Sequence, residues 1–185
     1  MLNLARRPPA KGSESSDPRI KMLKSSFASD PTGARILAYH SAQIVALSRW
    51  RPIFSPAEGM RLFLAGVVLW GFGNYYRPMP AAPQPYPGRQ EDVVRLDLLP
   101  WCLPGQASIA RSSTSPEEWI RTGKGKATIG MGGDADKMMD VCGPEGTKEV
   151  LKVVVSVLGS LRVWGLGGEF KAVLEELVTR KVFGN

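Results

Sequence analysis

The chain has 185 residues, a formal net charge of +7, 15 prolines, two cysteines and one histidine. That length suits one domain with a modest core, and an apolar content of 43% excludes a wholly disordered chain. Cys102, Cys142 and His40 cannot supply the four ligands of a Cys₄ or Cys₂His₂ zinc site, which excludes a zinc finger and a disulfide-rich secreted scaffold alike.

The charge is uneven. Residues 1–30 carry six basic and three acidic side chains, residues 31–78 carry five and one, and the rest carry thirteen of each. The excess therefore lies in the first 78 residues, where it could serve nucleic acid, anionic lipid or an acidic partner. Lys and Arg are scattered singly there, so a solvated basic surface is the first reading. Two cysteines suit a reducing compartment. The N-terminus has no apolar secretory run, and Glu14 and Asp17 argue against a transit peptide. The longest apolar stretch, Leu62 to Phe72, is about half a membrane span, so no membrane span is expected.

In chain order, residues 1–29 lack periodicity and predict a disordered basic arm. Asp30-Pro31 is an N-cap followed by proline at the first helical position. The helix it opens runs to about Trp50, with Ile36, Leu37, His40, Ile44, Leu47 and Trp50 near one face, and His40 is expected to be a core or half-buried histidine. Pro52 stops it. Ser55-Pro56-Ala57-Glu58 is a capping box. The next helix, to about Asn74, is apolar nearly all round, and predicts a central helix that becomes an association site if left uncovered. Residues 30–75 thus form a helical hairpin. Residues 76–92 are a Pro-rich linker of polyproline II character containing the minimal Pro80-Ala81-Ala82-Pro83 match.

Residues 93–185 form a C-terminal helical segment. Val93 to Leu96 is a short extended piece, Ser115-Pro116-Glu117-Glu118 starts a short helix with Trp119 and Ile120, and Gly123 to Gly133 is a glycine-rich loop. A helix pair begins near Pro144. Leu151, Val154, Leu158 and Leu161 stripe its first member, Gly165-Leu166-Gly167-Gly168 breaks it, and Phe170, Val173, Leu174, Leu177 and Val178 stripe the second. The expectation is four main helices near 31–50, 56–74, 144–164 and 168–181: an all-α, irregular helical bundle with little strand. With so few helices to cover residues 57–72 and the last stripe, self-association or a protein partner is expected.

Candidate chemistry is sparse. Gly125-Lys126 lacks the first glycine and the Ser or Thr of a Walker A loop. Gly130 to Ala135 formally matches G-x-G-x-x-A, but no hydrophobic strand precedes it and no βαβ unit is visible around it, which makes it a surface loop. Asp134, Asp136 and Asp140 fall short of an EF-hand set. Cys102 and Cys142 lack adjacent basic groups and are inert thiols. No catalytic constellation or cofactor site is expected.

The segments Tyr39-His40-Ser41-Ala42-Gln43-Ile44, Arg49-Trp50-Arg51-Pro52, Pro56 and Ala65-Gly66-Val67-Val68-Leu69-Trp70 resemble the late portion of the fungal-specific transcription factor regulatory domain. The tail is similar to that family's end: Val93-Arg95-Leu96-Asp97, Glu118-Trp119-Ile120, Leu158-Leu161-Arg162-Val163-Trp164-Gly165-Leu166, Glu169-Phe170 and Val173-Leu174. The resemblance spans roughly residues 35–75 and 93–180, without the zinc fingers and earlier helices. It implies a nuclear, all-α fragment or truncated paralogue that regulates transcription through protein contacts. It carries no catalytic residues, no cofactor and no sequence-specific DNA binding of its own. His40, Trp70, Arg162, Trp164 and Phe170 match as packing or interaction residues. The alternatives are a basic helical protein held on an anionic membrane or nucleic acid and, last, an enzyme using the glycine-rich loop.

Overall fold

The computed structural model describes residues 18–53, 55–77, 92–99, 114–130, 138–161 and 166–179. The proline-containing helix starts form as their chemistry dictates. Helix α2, Pro31–Trp50, is capped by Asp30, whose Oδ1 accepts the Gly33 N–H at 2.8 Å. Helix α3, Pro56–Tyr75, is capped by Ser55 Oγ, which accepts from Glu58 N at 3.2 Å. The capping box is only half closed: the buried Glu58 carboxylate accepts from Ser48 Oγ on α2, tying the hairpin together. Helix α4, Pro116–Thr122, starts on Ser115 and ends at Gly123, whose φ of 71° is the left-handed C-cap geometry glycine adopts without strain. Helices α5, Pro144–Ser160, and α6, Leu166–Thr179, are the predicted C-terminal pair.

Two expectations are corrected. The arm is not irregular throughout, because Pro18–Ser29 is helix α1, held by Phe27, which is buried and edge-on to Phe72 at 6.5 Å. Lys24 Nζ adds a contact 5.4 Å from the centre of the Tyr75 ring. The fold is also mostly helical rather than all-α. Strands β1 (Val93–Arg95), β2 (Lys126–Gly130) and β3 (Met138–Asp140) form a sheet in the order β1-β2-β3. β1 and β2 are parallel with Val94 opposite Ala127, and β2 and β3 antiparallel with Ile129 opposite Met139. β2 is a short run bordered by glycines, and its last four residues are all buried, so it shows no alternation of apolar and polar residues.

α3 is the central helix. It packs on α1, α2, α5 and α6, and buries Leu62, Ala65, Leu69 and Phe72. A methyl on Gly66 would lie 3.0 Å from Val154 and 3.2 Å from Leu174, so α5 and α6 approach its backbone closely. Phe72 stacks on Tyr76 at 4.4 Å and meets Trp119 edge-on at 6.1 Å, joining the helical layer to α4. Phe63 stacks on Phe170 at 4.6 Å, and Leu174 is fully buried, so most of the α6 stripe finds its cover within the chain, with Val173 left exposed. The expectation that α3 lacks neighbours is thereby corrected; of its larger apolar residues, Met60 and Leu64 stay exposed.

Candidate functional site

The sequence places six large residues on one face of α2 and implies that this face turns inward. The opposite side turns inward instead. Ala34, Ala38 and Ala42 form an i, i+4 column that is buried with Ser41, Val45 and Ser48. These small side chains let α2 lie close against α3. The expected inward face then falls outside: Ile36 is 39% exposed, Leu37 53% and Trp50 61%, and Ile53 beyond the helix end is 51% exposed. His40 is exposed, with its ring 5.5 Å from that of Tyr39, while Ile44 and Leu47 are half-buried. The core or half-buried histidine expected at this position is therefore corrected: His40 is exposed, although Ile44 on the same face packs partly on the core.

Along this face Gly33, Leu37, His40, Ile44, Leu47 and Arg51 recur at alternating spacings of four and three residues, the pattern of a helix-pairing seam. No Lys, Arg, Asp or Glu occurs from Ile36 to Ser48. Charge appears only at the two ends, as Asp30 before the helix and Arg51 at its C-cap, both exposed.

The rest of α2 is fixed to the body by polar contacts. Arg35 is buried; its Nε donates to Ile120 O at 2.8 Å, Nη1 to Tyr76 Oη at 2.9 Å, and Nη2 to Thr32 Oγ1 at 3.1 Å. Ile120 lies in the last turn of α4, where the helix dipole is negative and favours a guanidinium. Gln43 Nε2 donates to the carbonyls of Leu96 and Leu98, and Arg49 Nη1 to Gly130 O at 2.8 Å. Gly130 N in turn donates to Asp97, which pairs with Arg95 at 2.9 Å. Burial, and secondarily the Glu117 carboxylate, push the Tyr39 hydroxyl above its usual range. The outer face of α2 is thus presented by a helix held through its flanks.

The other residues singled out in the sequence lie apart from this face. Trp70 is buried in the core, edge-on to Tyr75 at 5.6 Å. Phe170 packs on Phe63, and Arg162 and Trp164 lie outside the described residues, as do Cys102 and Pro80 to Pro83. Trp70 and Phe170 belong to one core; His40 does not join them. The residues that sequence reasoning puts on the wrong side are Ile36, Leu37 and Trp50. The signal that could have placed them is the alanine column opposite.

The glycine-rich segment also differs from expectation. A buried strand, β2, does precede Gly130, and β1, α4 and β2 form a parallel crossover. The next described element is antiparallel β3 rather than a helix, so the strand–loop–helix order that presents amides to phosphate is not the one found. Asp140 pairs with Lys126 at 3.4 Å and accepts from Cys142 N at 2.8 Å; Asp134 and Asp136 lie outside the described residues. Among the described residues no group of three or more His, Cys, Asp or Glu is placed to hold a metal ion. No described helix is long and apolar enough to cross a membrane. Comparison with protein-family models, with curated proteins and with solved structures returns no match.

Proposed function

We propose that the chain is a regulatory protein-interaction module, a relative or fragment of the regulatory domain of fungal transcription factors, which works in the nucleus through protein contacts made by the outer face of α2. The observation that carries this reading is the uncharged run Ile36 to Ser48 on a helix that leaves Ile36, Leu37 and, beyond the run, Trp50 exposed to solvent. Large apolar side chains left exposed on one uncharged helix face mark an interaction surface. The link to transcription comes from the residues of the resemblance, among them the Tyr39-to-Ile44 and Arg49-to-Pro52 segments on and beside this face. In this reading the chain reads no DNA sequence itself. The basic N-terminal half contributes at most weak, salt-sensitive attraction to nucleic acid.

The test is a tethering assay. Fused to a heterologous DNA-binding module in fungal cells, the chain should change transcription of a reporter carrying the matching site. Leu37→Asp, a change at an exposed position, should remove the effect while leaving fusion-protein levels unchanged. A reporter that responds neither to the fusion nor to its variant defeats the reading.

A further inference from the structure

We infer that the occupant of the α2 face is a second copy of this chain, paired antiparallel through α2 about a two-fold axis. The inference rests on the interaction reading above and names its partner. The seam is palindromic. Gly33, Leu37, His40, Ile44, Leu47 and Arg51 are spaced 4, 3, 4, 3, 4, so a two-fold axis near Ala42 sets Leu37 against Leu47 of the second copy, His40 against its Ile44, and Gly33 against its Arg51. A self-complementary patch of this kind is what an isologous contact requires.

The flank agrees with the seam. Ile36, Gln43 and Trp50 lie seven residues apart on one edge of α2, and in antiparallel pairing an edge meets its own copy. Ile36 then covers Trp50 of the second copy, which places two of the most exposed apolar residues of α2 against each other. The opposite edge, with Ala34, Ser41 and Ser48, is already buried; on this edge Gln43 is held to the Leu96 and Leu98 carbonyls, so among the described residues Ile36 and Trp50 at its two ends are the parts left open.

Charge selects a second copy over an unrelated apolar partner. The face is neutral except for an acid at one end and a base at the other, and antiparallel pairing brings each end to its opposite. Arg51 reaches over Gly33, which has no side chain to obstruct it, toward Asp30, the N-cap one turn away. Asp30 Oδ1 is taken by Gly33 N, and among the described residues neither Oδ2 of Asp30 nor the Arg51 guanidinium has an ion-pair partner. A parallel arrangement would set base beside base and acid beside acid. Twenty residues of helix span about 30 Å, enough for an interface at the low end of the stable range. The expected dissociation constant is therefore on the order of 1–100 μM.

Sedimentation of the purified full chain from about 1 to 200 μM, bracketing that range, should show a reversible monomer–dimer equilibrium. Leu37→Asp, which enters the interface twice, should weaken it roughly 100-fold. His40→Glu, also at an exposed position, should weaken it roughly tenfold or more, with the helical circular dichroism of both variants unchanged. Orientation is tested by oxidation after Cys102 and Cys142 are replaced by serine. Leu37→Cys together with Leu47→Cys should give a covalent dimer, whereas Leu37→Cys alone should not, because the two copies of residue 37 lie about 15 Å apart along the seam. A chain that stays monomeric throughout, a dimer indifferent to both face variants, or cross-linking by Leu37→Cys alone overturns the proposal. A monomer that still drives the reporter in a Leu37-dependent way removes the second copy but leaves the interaction reading. A dimer with a silent reporter does the reverse.

Discussion

Gly73→Ala should destabilise the chain even though it places a better helix former inside a helix. Gly73 is in the last turn of α3, where its carbonyl accepts from Gly143 N at 3.2 Å. A methyl there would collide with Thr147 Oγ1 and stand 2.6 Å from the Val141 carbonyl oxygen, which is backbone and cannot rotate away. Thr147 is buried and its hydroxyl donates to Gly143 O at 2.6 Å, so moving it aside breaks that bond. Helix propensity favours alanine by about 1 kcal/mol. Forced displacement in a packed region costs about 1–3 kcal/mol, and the lost hydrogen bond about 1 kcal/mol more. The net expectation is a loss of about 2 kcal/mol. Gly159→Ala in α5 is the control, because nothing lies within 4 Å of the added methyl, and it should gain about 0.5–1 kcal/mol. Urea unfolding followed by circular dichroism measures both. A Gly73→Ala chain as stable as Gly159→Ala would refute close packing between the end of α3 and the start of α5.

Two further expectations concern buried polar groups. Arg35→Met strands the Ile120 carbonyl and the Tyr76 hydroxyl and should cost about 2–3 kcal/mol in the same urea assay; Arg35→Lys should recover only part, since one ammonium cannot reach three separated acceptors. Cys142 is pushed from the ordinary 9.0 to about 12, by burial first and then by Asp140. In a Cys102→Ser background its reaction with a thiol reagent at pH 8 should be at least about 100-fold slower folded than in urea. The raised value also sets a sign. Between about pH 9 and 12 the unfolded chain binds fewer protons than the folded one, so stability falls as pH rises through that window, and Cys142→Ala should lessen the fall. Equal thiol reactivity in the two states would contradict the half-buried placement of Cys142 beside Asp140.

What is legible in the sequence is local. Asp30-Pro31, Ser55-Pro56 and Ser115-Pro116 satisfy helix N-termini with a side chain and a fixed φ, chemistry that acts over three or four residues, and each starts a helix where it stands. The central place of α3 is also readable, because a helix apolar on every side has no face it can leave in water. The sheet is not. β2 is five residues between glycines, and its pairing partners lie more than thirty residues before it and ten after, so nothing local distinguishes it from a loop. Among the described side chains of α1, Phe27 is the buried one and Lys24 reaches the Tyr75 ring, and two such residues carry no periodicity.

The orientation of α2 escapes the sequence for a different reason, and that reason bears on function. Apolar periodicity identifies a stripe but not what covers it. Two stripes run along α2, one of alanines and serines, the other of Ile36, Leu37, Ile44, Leu47 and Trp50, and size alone assigns the larger to the core. The core partner is α3, whose buried side chains include Leu62, Leu69, Trp70 and Phe72, so close approach is helped by small residues on the α2 side. Alanines therefore go inward; of the larger stripe Ile44 packs partly on the core, while Ile36, Leu37 and Trp50 are left for a surface outside the protomer. Burying it returns about 25 cal/mol for each Å² of apolar area removed from water, and a face without charge from Ile36 to Ser48 removes no ion from water in doing so. The part of the larger stripe that faces away from the core, with Ile36, Leu37 and Trp50, is thus the one best suited, on energetic grounds, to meet a second helix of the same sequence.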